Sequence, residues 1–436
     1  MLTASEARER LVELWRAGVD AAAPAPAVSR ELAGLPIGTA SRPWIIAVGK
    51  AAAEMARGAV ESLRARGAEP AGGVIVAPDD AAPPHPSLVV SRGEHPEPGA
   101  GSFAAAARIA EVAARARAGG EAWVLLSGGA SSLAGATVVG VSPADFASLN
   151  SLLLGSGLDI ARVNAVRKRF ARWGAGRLAA ALAPAHVRVL AISDVVGDEI
   201  AAIGSGPCAP DEHTAADVRR LLERAGLLPR VGASIREALS AAELEPSRET
   251  PKPGAEIFAR VETRIVASNA LALDAIEHRA RSFGWRVVRH AEPLRGEAAA
   301  AGVSLAGELL RLAAAHASAC VLAGGETVVT LGGAAAPRGG RCQELALAAA
   351  RVLASATHPG ASLLAAGTDG RDGPTDAAGA VVDGATWALV RRAGRDPAAD
   401  LAAHRSHDAL DAAGALLRTG LTGTNVMDVV IGVRHG

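Results

Sequence analysis

The sequence predicts an α/β protein with two domains, and three observations support this prediction. Short runs rich in Val, Ile and Leu alternate with helical stretches rich in Ala, Arg and Leu, which is typical of βαβ units on a parallel sheet. The 436 residues suffice for two or three domains, and 50% of them are hydrophobic, enough to form a buried core. A polar linker with three prolines, residues 242–256, lacks apolar periodicity. We therefore expect one domain over residues 1–255 and a second over residues 256–436.

Ten segments are predicted as strands, and the linker separates them into two series of five. Ligands of sequential α/β folds bind where the carboxyl ends of the strands open into loops, so we expect the site in the turns after these strands and in the cleft between the two domains. The segments are 44–49, 72–77, 87–92, 122–128 and 188–193 in the first series, and 263–269, 285–290, 319–325, 362–367 and 380–384 in the second.

Composition argues against several classes of function. The 45 basic residues balance 45 acidic ones, so no overall positive field attracts nucleic acid. Three scattered cysteines are too few for a disulfide framework, which favours a reducing compartment. Residues 1–19 mix Glu and Arg into a helical apolar pattern unlike a signal peptide, and no run of 18 uncharged apolar residues occurs. We expect a cytoplasmic protein that binds neither nucleic acid nor membrane.

Lysine is scarce in this sequence, and one lysine follows a predicted strand. Only three lysines occur beside 42 arginines. Lys50 comes after Gly49 and opens an Ala-rich helix, where its charge opposes the helix dipole unless an anion lies nearby. The spacing is not that of a Walker A loop. Lys50 is therefore predicted to face an anion, with a solvated lysine as the alternative.

A glycine- and serine-rich loop follows the strand at 122–128. Ser127, Gly128, Gly129 and Ser131 supply backbone N–H groups and hydroxyls without bulk, which suits the binding of an anion such as a phosphate. A tight turn between strand and helix is an equally good interpretation of this loop taken alone.

Two acidic segments follow strands. Asp194 and Asp198 come directly after the strand at 188–193, where carboxylates suit a magnesium ligand or a proton acceptor. Asp369, Asp372 and Asp376 lie among glycines after the strand at 362–367, and charges this close repel unless a cation intervenes. Surface aspartates that cap turns are the alternative for the first segment.

Glycine pairs also precede a glutamate and an arginine in the second half of the chain. Glu326 follows Gly324 and Gly325. Arg341 follows Gly339 and Gly340 at the start of a predicted helix. An arginine held there can offer its planar guanidinium to a carboxylate or phosphate through two hydrogen bonds. A capped helix with an exposed arginine is the competing interpretation.

Nine motifs, taken in order, resemble the glycerate 2-kinase family, also named for its C-terminal MOFRL domain. They span residues 40–430 and are VGKAAAEM, GEHPEP, SGGASSL, NAVRKRF, SDVVGDE with GSGP, GGET, GGRCQE, GTDGRDGPTDAAGA and TGLTGTNVMD. The resemblance implies a Rossmann-like three-layer N-terminal domain, a C-terminal MOFRL α/β domain and an active site in the cleft between them. It also implies ATP, a divalent metal such as Mg²⁺, and transfer of the γ-phosphoryl group to the 2-hydroxyl of glycerate.

The resemblance and the residues together assign roles. Charge stabilisation during phosphoryl transfer calls for cations beside glycine-rich loops. Asp194 or Asp198 is expected to position or deprotonate the 2-hydroxyl, and the Asp369 to Asp376 loop to contact magnesium and nucleotide. The predicted catalytic residues are Lys50, Arg341 and Asp194; the substrate- or phosphate-binding residues are Ser127, Gly128, Gly129, Ser131, Asn164, Arg167, Lys168 and Glu326; the metal ligands are Asp198, Asp369 and Asp372.

The sequence departs from the family pattern at four positions and leaves two other functions open. Ala130, Arg169, Cys342 and Met427 stand where the family usually has Gly, His, Asn and Asn, which leaves the acceptor and the phosphate contacts open. A hydroxypyruvate reductase would need a nicotinamide site, yet no GxGxxG follows a strand. A non-catalytic sensor of an acidic metabolite is the other alternative. The sequence does not fix the oligomeric state.

Overall fold

The protein is an α/β protein with twelve strands and sixteen α-helices in the described part of the chain. The computed structural model describes residues 2–118, 120–333, 337–356 and 360–435. The strands are β1 Trp44–Val48, β2 Gly72–Ala77, β3 Leu88–Arg92, β4 Glu121–Leu126, β5 His186–Ile192, β6 Val261–Ala267, β7 Arg286–Arg289, β8 Ala319–Gly325, β9 Gly360–Gly367, β10 Gly379–Asp383, β11 Leu416–Leu417 and β12 Asp428–His435. The helices are α1 Ala4–Ala21, α2 Pro24–Ala33, α3 Ala52–Arg64, α4 Ala100–Ala116, α5 Ala130–Leu133, α6 Pro143–Leu154, α7 Ile160–Phe170, α8 Arg177–Leu182, α9 Ala215–Arg224, α10 Ala233–Leu244, α11 Asn269–Ser282, α12 Ala298–Ala315, α13 Arg341–Leu353, α14 Thr386–Arg392, α15 Pro397–Ala402 and α16 Ser406–Ala412.

The chain forms two compact units. The N-terminal unit comprises residues 24–193 and 198–266, and the C-terminal unit comprises residues 1–23, 194–197 and 267–436. This division differs from the boundary expected at residue 255. Strand β6 joins the sheet of the N-terminal unit, and helix α1 belongs to the C-terminal unit.

The sheet of the N-terminal unit has the strand order of a doubly wound fold. Its order is β3-β2-β1-β4-β5-β6, and β1 to β5 pair in parallel. The order reverses between β1 and β4, and ligands of such sheets bind in the crevice beyond the carboxyl ends of the strands at this switch point. Lys50 follows β1 and Ser127 follows β4, so both predicted loops begin at the switch point.

The sheet of the C-terminal unit is mixed, contrary to the parallel arrangement expected from the sequence. Its order is β11-β10-β9-β12-β8-β7. All ten predicted strands are present, but the prediction omitted β11 and β12. Strand β12 lies in the middle of the sheet and runs antiparallel to both β8 and β9, pairing Asp428 with Gly325 and with Gly367. The first residue of β12 therefore lies between the carboxyl ends of two other strands.

Alternating side chains of this sheet divide the C-terminal unit into three layers. Successive residues of a strand point to opposite faces. Val321 and Leu363 pack with α12 and α13 on one face, whereas Leu322 and Leu364 pack on the other. The second face is covered by α11 and by α1, whose Leu11 is fully buried there. The apolar stripe of the first helix thus explains why α1 belongs to the C-terminal unit.

Helix α12 is apolar and long enough to span a membrane by length and composition alone. Its 18 residues have a mean hydropathy of 1.3. Leu305 and Leu309 of this helix are buried in the core between α13 and the sheet. Packing in a protein core accounts for this composition.

Removal of the Leu11 side chain should destabilise the C-terminal unit. Leu11→Ala leaves a cavity between α1 and the sheet, and we expect the free energy of unfolding to fall by about 2–5 kcal/mol. Hydrogen exchange should show faster exchange in α11. The matched control is Arg16→Ala on the exposed side of α1, which should change stability by less than about 0.5 kcal/mol. Equal effects of both variants would contradict the placement of α1.

Candidate active site

The loops after β1 and β4 are joined to each other in the N-terminal unit. Gly49 has φ +134°, and a Cβ atom there would lie 2.1 Å from Ser127 Oγ, so only glycine fits. The Lys50 N–H donates to the Gly128 carbonyl at 2.9 Å, and the Ala51 N–H donates to Ser127 Oγ at 3.0 Å. Ser127 and Gly128 therefore fix the start of α3, and with it the position of Lys50.

Lys50 is exposed beside a histidine that the site prediction did not include. A Cβ atom at Gly129 would lie 3.4 Å from Lys50 Cγ and 3.0 Å from His95 Cδ2, so both side chains flank this glycine. Partial burial and the neighbouring Lys50 ammonium lower the pKa of His95. His95 is thus kept neutral at neutral pH and can donate or accept one hydrogen bond next to the lysine.

Ser131 contacts a second glycine-rich turn. Its hydroxyl lies 2.7 Å from that of Ser205. Gly204, Ser205 and Gly206 all have positive φ values, 57°, 67° and 60°. A serine in this left-handed region is strained, and such strain is often found at functional sites. The contact brings the motif GSGP beside the SGGASSL loop.

Helix α7 carries three predicted binding residues, which have different surroundings. Lys168 is buried, and its ammonium lies 3.0 Å from the fully buried carboxylate of Asp211. Asn164 and Arg167 are half-buried and lie one turn apart on the helix. Burial lowers the pKa of Arg167, so an anion there would gain from a partly desolvated charge. Arg167 is a better candidate for ligand contact than Lys168.

Arg341 is held at the end of the C-terminal sheet. It is the first residue of α13, and Asp428 accepts its Nε–H at 2.5 Å and an Nη2–H at 3.1 Å. Its third nitrogen, Nη1, lies 2.6 Å from a carboxylate oxygen of Glu326. The predicted bidentate geometry is present, and the partner of the guanidinium is the buried Asp428.

Several carboxylates surround this arginine. Burial raises the pKa of Glu326, the Arg341 charge opposes the rise, and the charges of Asp428, Asp194 and Asp369 add to it. Burial disfavours the charged form of Arg341, but Asp428 and Glu326 outweigh it and raise the arginine pKa. Arg341 thus pairs with Asp428 and Glu326, and the charges of Asp194 and Asp369 act on Glu326. A divalent cation beside Glu326 would be favourable.

Asp372 fixes the beginning of α13 from inside the protein. Its two carboxylate oxygens accept the backbone N–H groups of Cys342 and Gln343 at 3.1 and 2.8 Å. A Cβ atom at Gly340 would lie 2.2 Å from the Asp372 Cγ, so the GGR turn needs a glycine to approach the aspartate. Burial raises the pKa of Asp372 to about 7. This aspartate orients the turn that presents Arg341.

The remaining predicted aspartates fall in separate places. Asp376 bonds to His407 at 3.0 Å and to Arg418 at 2.8 Å, and these partners lower its pKa. Asp198, at φ +56°, belongs to the N-terminal unit, whereas Asp369 and Asp372 belong to the C-terminal unit. Within the described residues, no group of three or more His, Cys, Asp or Glu side chains could by itself hold a metal ion.

The donor set nevertheless fits Mg²⁺. Magnesium prefers oxygen ligands and is usually held by one or two carboxylates together with substrate phosphates, so a complete protein cage is not required. Half-buried Asp369 and Glu326 supply such oxygens beside Arg341. Asp372 is a poorer donor, because its two oxygens already accept amide N–H groups.

Three functional candidates were not predicted from the sequence, although the motifs that contain them were recognised. His95, Ser205 and Asp428 all lie inside motifs that the resemblance rests on, GEHPEP, GSGP and TNVMD. Their roles depend on contacts across the fold, with Lys50, Ser131 and Arg341 respectively. The motifs themselves were the available signal.

Comparison with known proteins agrees with this architecture. A model of a domain of unknown function, DUF4147, matches residues 10–240, and the MOFRL family model matches residues 319–428. D-glycerate 2-kinase of Thermotoga maritima is 35% identical over 427 residues, 97% of each chain. The chain belongs to the glycerate kinase family.

A solved structure and another relative add structural and functional context. The crystal structure of a glycerate kinase from Thermotoga maritima matches with a TM-score of 0.88 at 34% identity, covering 98% of this chain and 99% of that one. A relative from Agrobacterium vitis, named a putative hydroxypyruvate reductase, is 36% identical over 97% of this chain and 93% of its own. The fold expected from the resemblance is thus confirmed, and both function names occur among relatives.

The raised pKa of Asp372 predicts a stability that falls as pH rises. The ordinary pKa of an aspartate is 3.8, and that of folded Asp372 is about 7. Between these values the unfolded chain has lost the proton and the folded chain keeps it, so each pH unit costs up to about 1.4 kcal/mol of stability. Asp372→Asn removes this titration. Urea unfolding in EDTA should show wild type losing stability relative to Asp372→Asn between pH 4 and 7.

Asp376→Asn is the matched control, because the pKa of Asp376 is shifted in the opposite direction. The pKa of Asp376 is lowered, so its ionised form stabilises the fold above the ordinary aspartate range, and that contribution is lost only in acid. Wild type should therefore lose no stability relative to Asp376→Asn between pH 4 and 7. A difference between wild type and Asp372→Asn that stays constant over this range would contradict the raised pKa.

Proposed function

We propose that the protein transfers the γ-phosphoryl group of ATP to the 2-hydroxyl of glycerate, giving 2-phosphoglycerate and ADP, with Mg²⁺ as cofactor. The observation that carries the proposal is Arg341, fixed by Asp428 among an excess of carboxylates at the end of the C-terminal sheet. Membership of the glycerate kinase family supports the reaction class. The protein acts in the cytoplasm on small molecules.

Lys50 supplies positive charge from the switch point of the N-terminal sheet. The lysine is exposed, and the joined loops around Gly49 and Ser127 fix its backbone. Phosphoryl transfer needs positioning and charge neutralisation more than covalent chemistry. Lys50 binds the glycerate carboxylate or the transferring phosphoryl group, and neutral His95 and Ser131 supply hydrogen bonds beside it.

Arg341 supplies the second positive charge and has one nitrogen to offer. Asp428 is 5% exposed and holds Nε and Nη2, so this pair stays in place. Glu326 is more exposed, and burial already raises its pKa, so its contact with Nη1 is the one that an anionic substrate replaces. The arginine then binds the substrate through Nη1 without losing its orientation.

Asp194 acts on the 2-hydroxyl. It follows β5 and belongs to the C-terminal unit, and the effect of its charge on the pKa of Glu326 supports this role. A carboxylate there can accept the hydroxyl proton as the oxygen attacks the phosphorus atom. Magnesium, when bound, neutralises charge on the phosphate oxygens. Asp369 and Glu326 of the C-terminal unit are the residues that would hold it.

A hydroxypyruvate reductase is the second candidate, because two relatives from Agrobacterium vitis carry that name. The turn after β1 lacks the glycine pattern of a dinucleotide fold, since Gly49 is followed by Lys50 and a run of alanines. Oxidation of NADH or NADPH in the presence of hydroxypyruvate, at a rate comparable with the kinase reaction, would favour this alternative.

The product of the reaction tests the proposal directly. The full chain is incubated with ATP, MgCl₂ and D-glycerate, and the product is followed by ³¹P NMR and by coupling to enolase, which consumes 2-phosphoglycerate. We expect 2-phosphoglycerate, with no turnover in EDTA and recovery on addition of Mg²⁺. Formation of 3-phosphoglycerate, or no phosphorylated product at any metal concentration, would overturn the proposal.

Loss of either cation should reduce turnover with the fold intact. Lys50→Ala and Arg341→Ala each remove a charge that stabilises the transferring group, and we expect kcat to fall by about 10²- to 10³-fold. Asp428→Asn keeps the arginine but loosens it, and should lower kcat by about tenfold or more. The control is Arg338→Ala, which should retain activity. Arg338 lies three residues before Arg341, is exposed and pairs with Asp408. Near-normal kcat in Lys50→Ala or Arg341→Ala would exclude these roles.

A further inference from the structure

A cleft rich in arginine lies in the N-terminal unit and has no part in the proposed reaction. Its volume is about 510 Å³. The chain as a whole carries no net charge, so the surplus of positive charge in this cleft is local. The charged residues that line the cleft are Arg169, Arg172, Arg177, Arg248 and Glu249.

Arg169 forms a buried part of the cleft wall. Only 3% of this residue is exposed. Its Nη1 donates to the carboxylate of Glu249 and, at 3.4 Å, to the hydroxyl of Thr250. Its Nη2 is buried and has no hydrogen-bond partner in the described part of the chain. A buried guanidinium N–H without an acceptor is unfavourable, and because this nitrogen has almost no accessible surface, Arg169 acts on the cleft through its positive charge.

Arg177 adds a second desolvated charge and makes the wall rigid. Its Nη2 donates to the carbonyl of Arg169 at 2.8 Å, and its Nη1 lies 3.3 to 3.4 Å from the carbonyls of Lys168, Ala171 and Gly174. Burial first, and then the charge of Arg169, lower its pKa to about 10. Two neighbouring positive charges in a wall of this kind favour a negatively charged occupant.

Arg172 and Arg248 supply positive charge that is accessible to solvent. The Arg172 guanidinium carbon lies 5.2 Å from the centre of the Trp173 ring, and this arginine has no carboxylate partner among the described residues. Arg248 is 57% exposed and pairs only with Glu245 on the protein surface. Both side chains can turn toward an anion in the cleft at little cost, because surface ion pairs are weak.

Part of the lining is apolar, and the cleft is separate from the glycine-serine loop. Val139, Phe170 and Pro251 contribute apolar surface. Phe170 and Arg172 line the cleft, whereas Ala171 and Trp173 line a small cavity together with Ser131 and Ser205. Ala171 lies in an isolated β-bridge with Thr137, between Phe170 at the end of α7 and the turn that carries Arg172 and Trp173.

We propose that this arginine cleft is a binding site for a small organic anion, a phosphorylated or carboxylated molecule with an apolar part. Arg172 and Arg248 at the rim provide donors for the anionic group, and Arg169 in the wall adds positive charge. Phe170 and its neighbours pack against the apolar part. The lining of the site does not include Lys50, Ser127 or Ser131, so its occupancy does not depend on the proposed kinase reaction.

Calorimetric titration of the full chain with phenyl phosphate tests the site. This probe carries both an anion and a ring. Benzyl alcohol, the neutral analogue, should not bind measurably at the same concentrations. We expect one phenyl phosphate per chain in wild type. Reversal of the two rim charges in Arg172→Glu/Arg248→Glu should weaken binding at least tenfold, and Arg172→Gln/Arg248→Gln provides a milder variant if the reversal lowers the melting temperature.

Two further variants make the result specific. The control Arg108→Glu/Arg220→Glu reverses the charge of two exposed arginines of the same unit that lie outside the cleft. Arg220 matches Arg248 closely, because it is 56% exposed and pairs with an acidic residue three positions away in the sequence, as Arg248 does. Binding should stay within twofold of wild type in this control and in Lys50→Ala. Absence of binding, binding that survives loss of both rim charges, or binding that Lys50→Ala abolishes would overturn the proposal. Because binding is measured without turnover, this outcome is independent of the kinase assay.

Discussion

The C-terminal site depends on the pairing of Arg341 with Asp428. Strand β12 begins at Asp428 between the carboxyl ends of β8 and β9, so the carboxylate is fixed by the sheet itself. Helix α13 begins at Arg341, and Asp372 holds that beginning by accepting its backbone N–H groups. Because β12 and the beginning of α13 are both fixed, the Arg341 guanidinium is held in one orientation. Since a buried carboxylate without its partner is costly, neither residue can be replaced without disturbing the other.

This arrangement differs from a preformed metal site. A divalent cation needs several oxygen ligands at fixed distances, whereas here the carboxylates face an arginine and are brought together by charge. Such a group stores electrostatic repulsion that a bound cation and phosphate would relieve. Glu326, whose pKa is raised by its burial and its acidic neighbours, carries much of that repulsion. The proposed binding of substrate and cation would lower this repulsion.

The sequence predicted where strands and helices occur better than it predicted which of them pack or pair with each other. All ten predicted strands exist, because short apolar runs between helical stretches are typical of buried strands, whether they pair parallel or antiparallel. The prediction missed β12, whose antiparallel position between β8 and β9 depends on pairing across more than 60 residues. It also assigned α1 to the N-terminal domain, whereas α1 belongs to the C-terminal unit. An apolar stripe on a helix does not show which sheet the helix covers. Arg341 was predicted because glycines precede it, whereas the motif that contains Asp428 gave no indication that this aspartate pairs with Arg341.

The division of labour between arginine and lysine follows from their chemistry. A guanidinium has five donors in a plane and can satisfy several carbonyls at once, as Arg177 does within the N-terminal unit. Arginines therefore serve as internal clamps in a chain that has 42 of them. An ammonium is a compact charge on a flexible stem. Lys50 stands exposed at the switch point, where a mobile charge is useful, and Lys168 shows the contrast, because the same group beside Asp211 is already neutralised. Of these two lysines, only Lys168 has an acidic partner among the ion pairs of the described residues, and Lys50 is exposed at the switch point of the sheet.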